Sequence, residues 1–235
     1  MEINNKLGVI FDCDGTLVDS ICGWRELEYE LARMAGEELS AEDVERLCTF
    51  TIPETAHFYY TKFGIGKSDE DVLSIMDQFM LDFYTHRVKA REGAKAFVHE
   101  IRSRGIPCTM ASSSPQRYLR ACVARVGLAD CFQAILSVDD LQTTKRDALI
   151  YQHCARIMGT PVETTWGFED SIYAINTLRN AKFRCVGVFD REDSGTVEQL
   201  TTASDLFIMD YSQLDVDDFI EQMYARSLFL QKTSC

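Results

Sequence analysis

Two aspartates, Asp12 and Asp14, follow directly on a short apolar run made by Leu7, Val9, Ile10 and Phe11. The run is rich in branched and aromatic residues and is stopped by Gly15, so it reads as a buried strand. Residues two apart on a strand project to the same side, so both carboxylates are expected to leave the strand end together, with Cys13 turned into the packing. Carboxylates held that close repel, and one stays protonated unless a cation sits between them. Hydroxyls, an ammonium and further carboxylates lie downstream: Ser112-Ser113-Ser114 before Pro115, Lys145 beside Arg146, and Glu169-Asp170 before Ser171. A calcium loop is excluded, because Leu17 stands where its turn glycine belongs.

The elements that must carry these residues fall into two blocks. Residues 20–88 hold helices and no convincing strand. Ile21, Trp24, Leu27, Leu31 and Met34 recur at helical spacing, and Ser40 with Asp43, Thr51 with Glu54, and Ser68 with Asp71 mark helix starts. Pro53 falls in a first turn and Gly64 ends that helix. From Gly93 onward helix and strand alternate, with strands expected at 107–111, 132–137, 164–168, 185–189 and 206–209. Alternation implies right-handed crossovers and a parallel sheet with helices on both faces, an α/β, Rossmann-like fold. The first strand belongs with this second block. Residues 1–18 and 90–235 are therefore read as one α/β core domain, and 19–89 as an inserted α-helical cap domain.

Ligands of open parallel sheets bind beyond the carboxyl ends of the strands. Asp12/Asp14, Ser112/Ser113 and Glu169/Asp170 close three strands at that edge, and Lys145 is read as opening the helix after a fourth. An insertion leaving just after Thr16 would hang over the same edge as a lid.

The chain of 235 residues is 46% apolar and 26% charged, ordinary values for a globular protein with a sizeable core. Its net charge of −13 argues against nucleic acid or an anionic membrane as partner. Nine scattered cysteines form no CxxC pair, which fits reduced core thiols. The apolar run near the amino terminus is too short for a signal peptide, so a cytoplasmic location is expected. An acidic single core is compatible with a monomer, and the tail from about Phe229 is expected to be loose.

Asp12-x-Asp14-Gly15-Thr16, Ser112, Lys145 and Glu169-Asp170, in this order, resemble the four motifs of the haloacid dehalogenase (HAD) superfamily over essentially the whole chain. The stretch GFEDSIYAI around Asp170 is similar to the phosphatase and beta-phosphoglucomutase-like subfamily, whose members carry a helical cap between the first and second motifs. The resemblance implies a Mg²⁺-dependent phosphatase that hydrolyses a small phosphomonoester metabolite through an aspartyl-phosphate. Asp12 would be the nucleophile and Asp14 the general acid and base. Asp12, the Asp14 carbonyl and Asp170 would hold Mg²⁺, with Glu169 as a further ligand or a supporting carboxylate. Ser112, the Ser113 amide and Lys145 would hold phosphate, and Trp24, Arg25 and Glu28 could reach the substrate from the cap, although Trp24 fits core packing better. The alternatives are a phosphomutase of the beta-phosphoglucomutase type and a non-catalytic phosphate-binding regulatory protein.

Three departures stand out. The cap loop Thr49-Phe50-Thr51-Ile52-Pro53-Glu54 lacks the glycine and nearby arginine usual in the mutase-like members, Lys145 is not followed by prolines, and Lys182 replaces a glycine after the helix that follows Asp170. A left-handed backbone at Lys182 would cost about 1 kcal/mol.

Overall fold

The computed structural model describes residues 6–47, 49–191 and 195–232, with side chains to residue 225. Cys48, Cys235 and the end of the tail lie outside the described residues.

The buried strand β1 (Gly8–Phe11) is followed by a two-residue strand, β2 (Val18–Asp19), and four helices: α1 (Ile21–Met34), α2 (Ala41–Leu47), α3 (Ile52–Phe63) and α4 (Asp69–Asp82). Their starts are chemically marked as the sequence predicts. Ser40 and Asp43 bond each other's amides, Thr51 and Glu54 complete a capping box, and the Ser68 hydroxyl accepts from the Asp71 amide. α4 runs into one π-helical turn, Phe83–Arg87, and the chain returns through β3 (Lys89–Ala90), antiparallel to β2.

The second block supplies α5 (Ala94–Ser103), β4 (Cys108–Ser112), α6 (Gln116–Val126), β5 (Ile135–Ser137) and α7 (Leu149–Met158). It continues through β6 (Thr165–Glu169), α8 (Ile172–Asn180), β7 (Arg184–Val188), α9 (Val197–Ala203), β8 (Leu206–Ile208) and α10 (Val216–Lys232). Six strands form one parallel sheet in the order β5-β4-β1-β6-β7-β8. The expected α/β architecture with a helical insertion between β1 and β4 is the one found.

Three local expectations are corrected. Lys145 does not open a helix: it sits in a turn closed by the Asp147 amide on the Thr144 carbonyl, and α7 begins at Leu149, whose amide is held by the Asp147 carboxylate. α9 was not expected, although Thr196 and Gln199 form a capping box at its start. α10 stays helical to Lys232 instead of loosening from Phe229.

The period-two alternation of β1 sends its side chains into two apolar clusters. Val9, Phe11 and the following Cys13 join Trp166, Phe168 and Phe219, in a cluster that continues into the insertion through Leu27, Tyr59 and Met76. Ile10 packs on the other face with Ile150, Tyr151, Ile175 and Leu178. Burying side chains of this size stabilises by roughly 1.5–3 kcal/mol each, enough to fix the strand ends rigidly. The chain lays β4 and β5 on one side of β1 and β6 to β8 on the other, so the crevice beyond Phe11 is a topological switch point. Among the described residues no helix is long and apolar enough to cross a membrane.

Candidate active site

At that switch point the ends of β1, β4 and β6 converge. Asp12 follows β1, its amide bonded to the Phe168 carbonyl of β6 at 3.0 Å. Its Oδ1 pairs closely with Lys145 Nζ, which also reaches Glu169 Oε1 at 2.7 Å. Glu169 Oε1 accepts a second bond from the Tyr151 hydroxyl of α7, at 2.8 Å. Asp12, Glu169 and Asp170 each bring a carboxylate oxygen within 4.8 Å of the others, and all three are buried.

Burial dominates the electrostatics. It pushes the Asp12 carboxyl up to about 7, with Glu169 and Asp14 adding to the rise and Lys145 opposing it. Burial likewise raises Asp170 well above the usual range, helped by Asp12 and Glu169. For Lys145 burial acts downward, but the Asp12 and Glu169 carboxylates win and hold the ammonium above its ordinary value.

One ammonium faces three buried carboxylates, and Glu169 Oε2 is buried with no hydrogen-bond partner. This donor set fits a hard divalent cation, which prefers carboxylate and carbonyl oxygens. Gly15 makes room for it. Its φ is 72°, and a Cβ there would stand 2.5 Å from Asp170 Oδ2, so a side chain is excluded on both counts.

The Asp14 carboxylate is not among the three that converge there. β1 ends at Phe11, and beyond it the Asp14 side chain turns to a set of hydroxyls, against the expectation that both carboxylates face one cation. Asp14 Oδ1 accepts from the Ser20 hydroxyl at 2.6 Å and from the Tyr84 hydroxyl at 2.5 Å. Its Oδ2 accepts from Ser114 at 2.7 Å and lies 3.4 Å from Ser112 Oγ. Burial, and then the adjacent Asp14 carboxylate, push the Tyr84 hydroxyl well above the phenol range, so it stays a donor.

The structure thus gathers Asp12, Lys145, Glu169 and Asp170 around one point, with Asp14 and Ser112 beside it. Ser113 is exposed, and it is Ser114, equally readable as a helix start, whose hydroxyl meets Asp14. Of the insertion residues singled out, Trp24 donates Nε1–H to the Tyr84 hydroxyl at 3.2 Å, while Arg25 and Glu28 pair with each other at 2.9 Å. Cys13 is a packed thiol as expected: contact with Cys122 Sγ at 3.7 Å and then burial push it up.

Sequence reasoning missed Tyr84, Tyr151 and Arg91. The Arg91 guanidinium donates to the Gly15 carbonyl at 2.9 Å and pairs with Asp190 at 2.7 Å, pinning the return strand to the turn after β1. Its place in the stretch 88–93, where the chain returns from the insertion to the core, was the available signal. Tyr84 and Tyr151 read only as members of apolar helix faces.

Comparison with known proteins accords with this geometry. A family profile described as haloacid dehalogenase-like hydrolase matches residues 7–182. Hexitol phosphatase B of Escherichia coli K12 is 24% identical over 184 residues, 77% of this chain and 83% of the relative. A phosphoglycolate phosphatase of Neisseria meningitidis is 27% identical over 194 residues, 79% of this chain and 81% of the relative. The crystal structure of beta-phosphoglucomutase from Clostridium difficile superposes with a TM-score of 0.73 at 18% identity, covering 95% of this chain and 99% of that one, a likeness of fold. With three quarters of its length matched by the family and the motif residues converging at one sheet edge, the chain belongs to the haloacid dehalogenase-like hydrolases.

Proposed function

We propose that the protein is a Mg²⁺-dependent phosphomonoesterase that hydrolyses a small phosphorylated metabolite through a phosphoryl group carried on Asp12. The observation that carries this reading is Lys145 bridging Asp12 and Glu169 beside a buried three-carboxylate cluster at the sheet's switch point. Residues 1–18 and 90–235 act as the core domain and 19–89 as a cap. The net charge of −13 supports a small-molecule partner over nucleic acid or membrane, in a cytoplasmic monomer.

Asp12 Oδ attacks phosphorus as the bond to the leaving oxygen breaks, and Asp14 gives that oxygen its proton. Water then attacks phosphorus, Asp14 takes a proton from it, and Asp12 is released with phosphate. Lys145 offsets charge on Asp12 and on the phosphoryl oxygens, and Ser112 Oγ with the Ser113 amide orients the latter. Asp12, Asp170, the Asp14 carbonyl and Glu169 would hold Mg²⁺, which supplies charge stabilisation to the phosphoryl group. Relatives named as phosphatases support hydrolysis. The mutase alternative draws on a likeness of fold alone, and the 49–54 loop brings no arginine for a second phosphate.

The test is phosphate release from a panel of sugar, polyol and glycolyl phosphates, with Mg²⁺ or EDTA, for the wild type and Asp12→Asn. Turnover that needs Mg²⁺ and vanishes in Asp12→Asn is the expected result. Turnover surviving the substitution would sink the phosphoaspartate route. Ligand binding without turnover would favour a regulatory protein, and isomerisation primed by a bisphosphate would favour a mutase.

A further inference from the structure

The hydroxyls on Asp14 have two origins. Ser20 belongs to the linker, and Ser112 and Ser114 belong to the sheet edge. Tyr84 comes from the insertion, on the π-helical turn Phe83–Arg87. Such turns re-aim a side chain relative to the helix before them and recur at functional sites. The ring of Tyr84 is fully buried and stacks on Tyr118 of α6, with centroids 5.2 Å apart and planes at 15°. Trp24, from the first helix of the insertion, packs edge-on to the same Tyr118 ring. Its indole N–H donates to the Tyr84 oxygen at 3.2 Å, which leaves the Tyr84 proton directed at Asp14 Oδ1.

The two oxygens of Asp14 are therefore both held, by different partners. Oδ1 is tied by Ser20 and Tyr84, and the Tyr84 hydroxyl is also in hydrogen-bond contact with Ser114. Oδ2 lies on the side of Ser112 and Ser114, where the phosphoryl group is proposed to sit. A carboxylate held at both oxygens delivers its proton in one direction, and a loosely held one does not. Ser20 reaches Asp14 from the start of the insertion, next to the strand that carries Asp14, whereas Tyr84 reaches it from the far end, seventy positions on.

We propose that Tyr84, oriented by Trp24, is a positioning residue that fixes Asp14 for proton transfer to the leaving oxygen. This rests on the phosphomonoesterase reading, with Asp14 as the acid. The role predicts a dependence on the leaving group that a purely structural tyrosine would not give. An alkyl phosphate expels a strongly basic alkoxide and needs the acid. p-Nitrophenyl phosphate expels a stable phenolate and needs it far less. Because kcat/KM stops at the first irreversible step, the later attack of water does not enter the comparison.

The experiment compares wild type, Tyr84→Phe and Trp24→Phe on p-nitrophenyl phosphate and on the best alkyl phosphate of the panel, with Mg²⁺. Tyr84→Phe keeps the ring, its burial and its stack on Tyr118. It should lower kcat/KM for the alkyl ester by about tenfold more than for p-nitrophenyl phosphate, a modest share of what general acids typically contribute. Trp24→Phe should change the ratio in the same direction and by less. Equal losses on both esters, or no loss, would overturn the proposal.

Melting temperatures of Tyr84→Phe, Asp14→Ala and the double variant give a readout that needs no turnover. The double variant should lose less than the sum of the single ones, and additive losses would overturn the contact. If the wild type turns over no alkyl ester, the phosphomonoesterase reading fails separately, and the melting cycle alone decides whether the insertion holds Asp14 through Tyr84.

Discussion

Replacing Lys145 by methionine removes the ammonium that touches both Asp12 and Glu169, while keeping most of the side chain's volume. Lys145 is 3% exposed in its side chain, Asp12 5% and Glu169 1%, so water cannot take its place. Losing one partner of a buried ion pair costs about 3–5 kcal/mol, because the remaining charge is stranded. For a chain of this size that corresponds to a fall in Tm of roughly 6–20 °C. The assay is thermal melting in EDTA at pH 7.5, with guanidinium unfolding as a second measure. Two controls tie the loss to stranded charge. Adding Glu169→Gln to Lys145→Met should restore part of the stability, since it removes a carboxylate and leaves an acceptor for Tyr151. Lowering the pH to 5 should shrink the difference, because the raised carboxyls take up protons there. A Lys145→Met protein as stable as wild type at pH 7.5, or one made worse by Glu169→Gln, would refute the assignment of Lys145 as the cluster's counter-charge.

Burial pushes the Asp12 carboxyl from an ordinary 3.8 up to about 7, so between those values the folded state holds more protons than the unfolded one. The contribution of Asp12 to stability therefore falls as pH rises through that window, by an amount on the order of a few kcal/mol. In EDTA the Tm of wild type relative to Asp12→Asn should drop from pH 5 to 7.5, and added Mg²⁺ should raise the wild-type Tm more at 7.5; a flat difference would contradict this. Lys182 has a φ of 71°, and its amide and that of Phe183 close α8 on the carbonyls of Arg179 and Leu178, as a Schellman motif requires. Lys182→Gly should stabilise by about 1 kcal/mol in denaturant unfolding, and a destabilised variant would show that the side chain makes contacts worth more than the strain.

The strand-and-turn grammar of the sheet edge was legible because each signal is local. The apolar run before Asp12, the capping pairs at Ser40, Thr51 and Ser68, and the left-handed demand at Lys182 all act within a few residues. Lys145 was found as a residue but misplaced on a helix, since no proline marks the turn from Thr144 to Asp147 and the Asp147 carboxylate that holds the Leu149 amide was not read as the helix start. The common direction assumed for Asp12 and Asp14 requires the strand to continue through Asp14, and it ends at Phe11. Tyr84 was out of reach for a different reason. It continues the apolar series of Phe79, Met80 and Phe83, and nothing local says that its hydroxyl meets a carboxylate seventy positions earlier. The π-turn that aims it has no sequence period of its own.

Val18 stands opposite Ala90 and Asp19 opposite Lys89 in the β2–β3 ribbon, so the chain enters and leaves the insertion at neighbouring points. Such adjacent ends form a graft junction. The entropy of closing a loop grows only slowly with its length, so a shorter or longer insertion could be spliced there without a change in the sheet. An insertion exchanged there would leave Asp12, Lys145 and Asp170 in place. One condition travels with every transplant. Tyr118, 3% exposed beneath Trp24 and Tyr84, would become an open aromatic face on the bare core, so an incoming segment must bring its own cover for that ring.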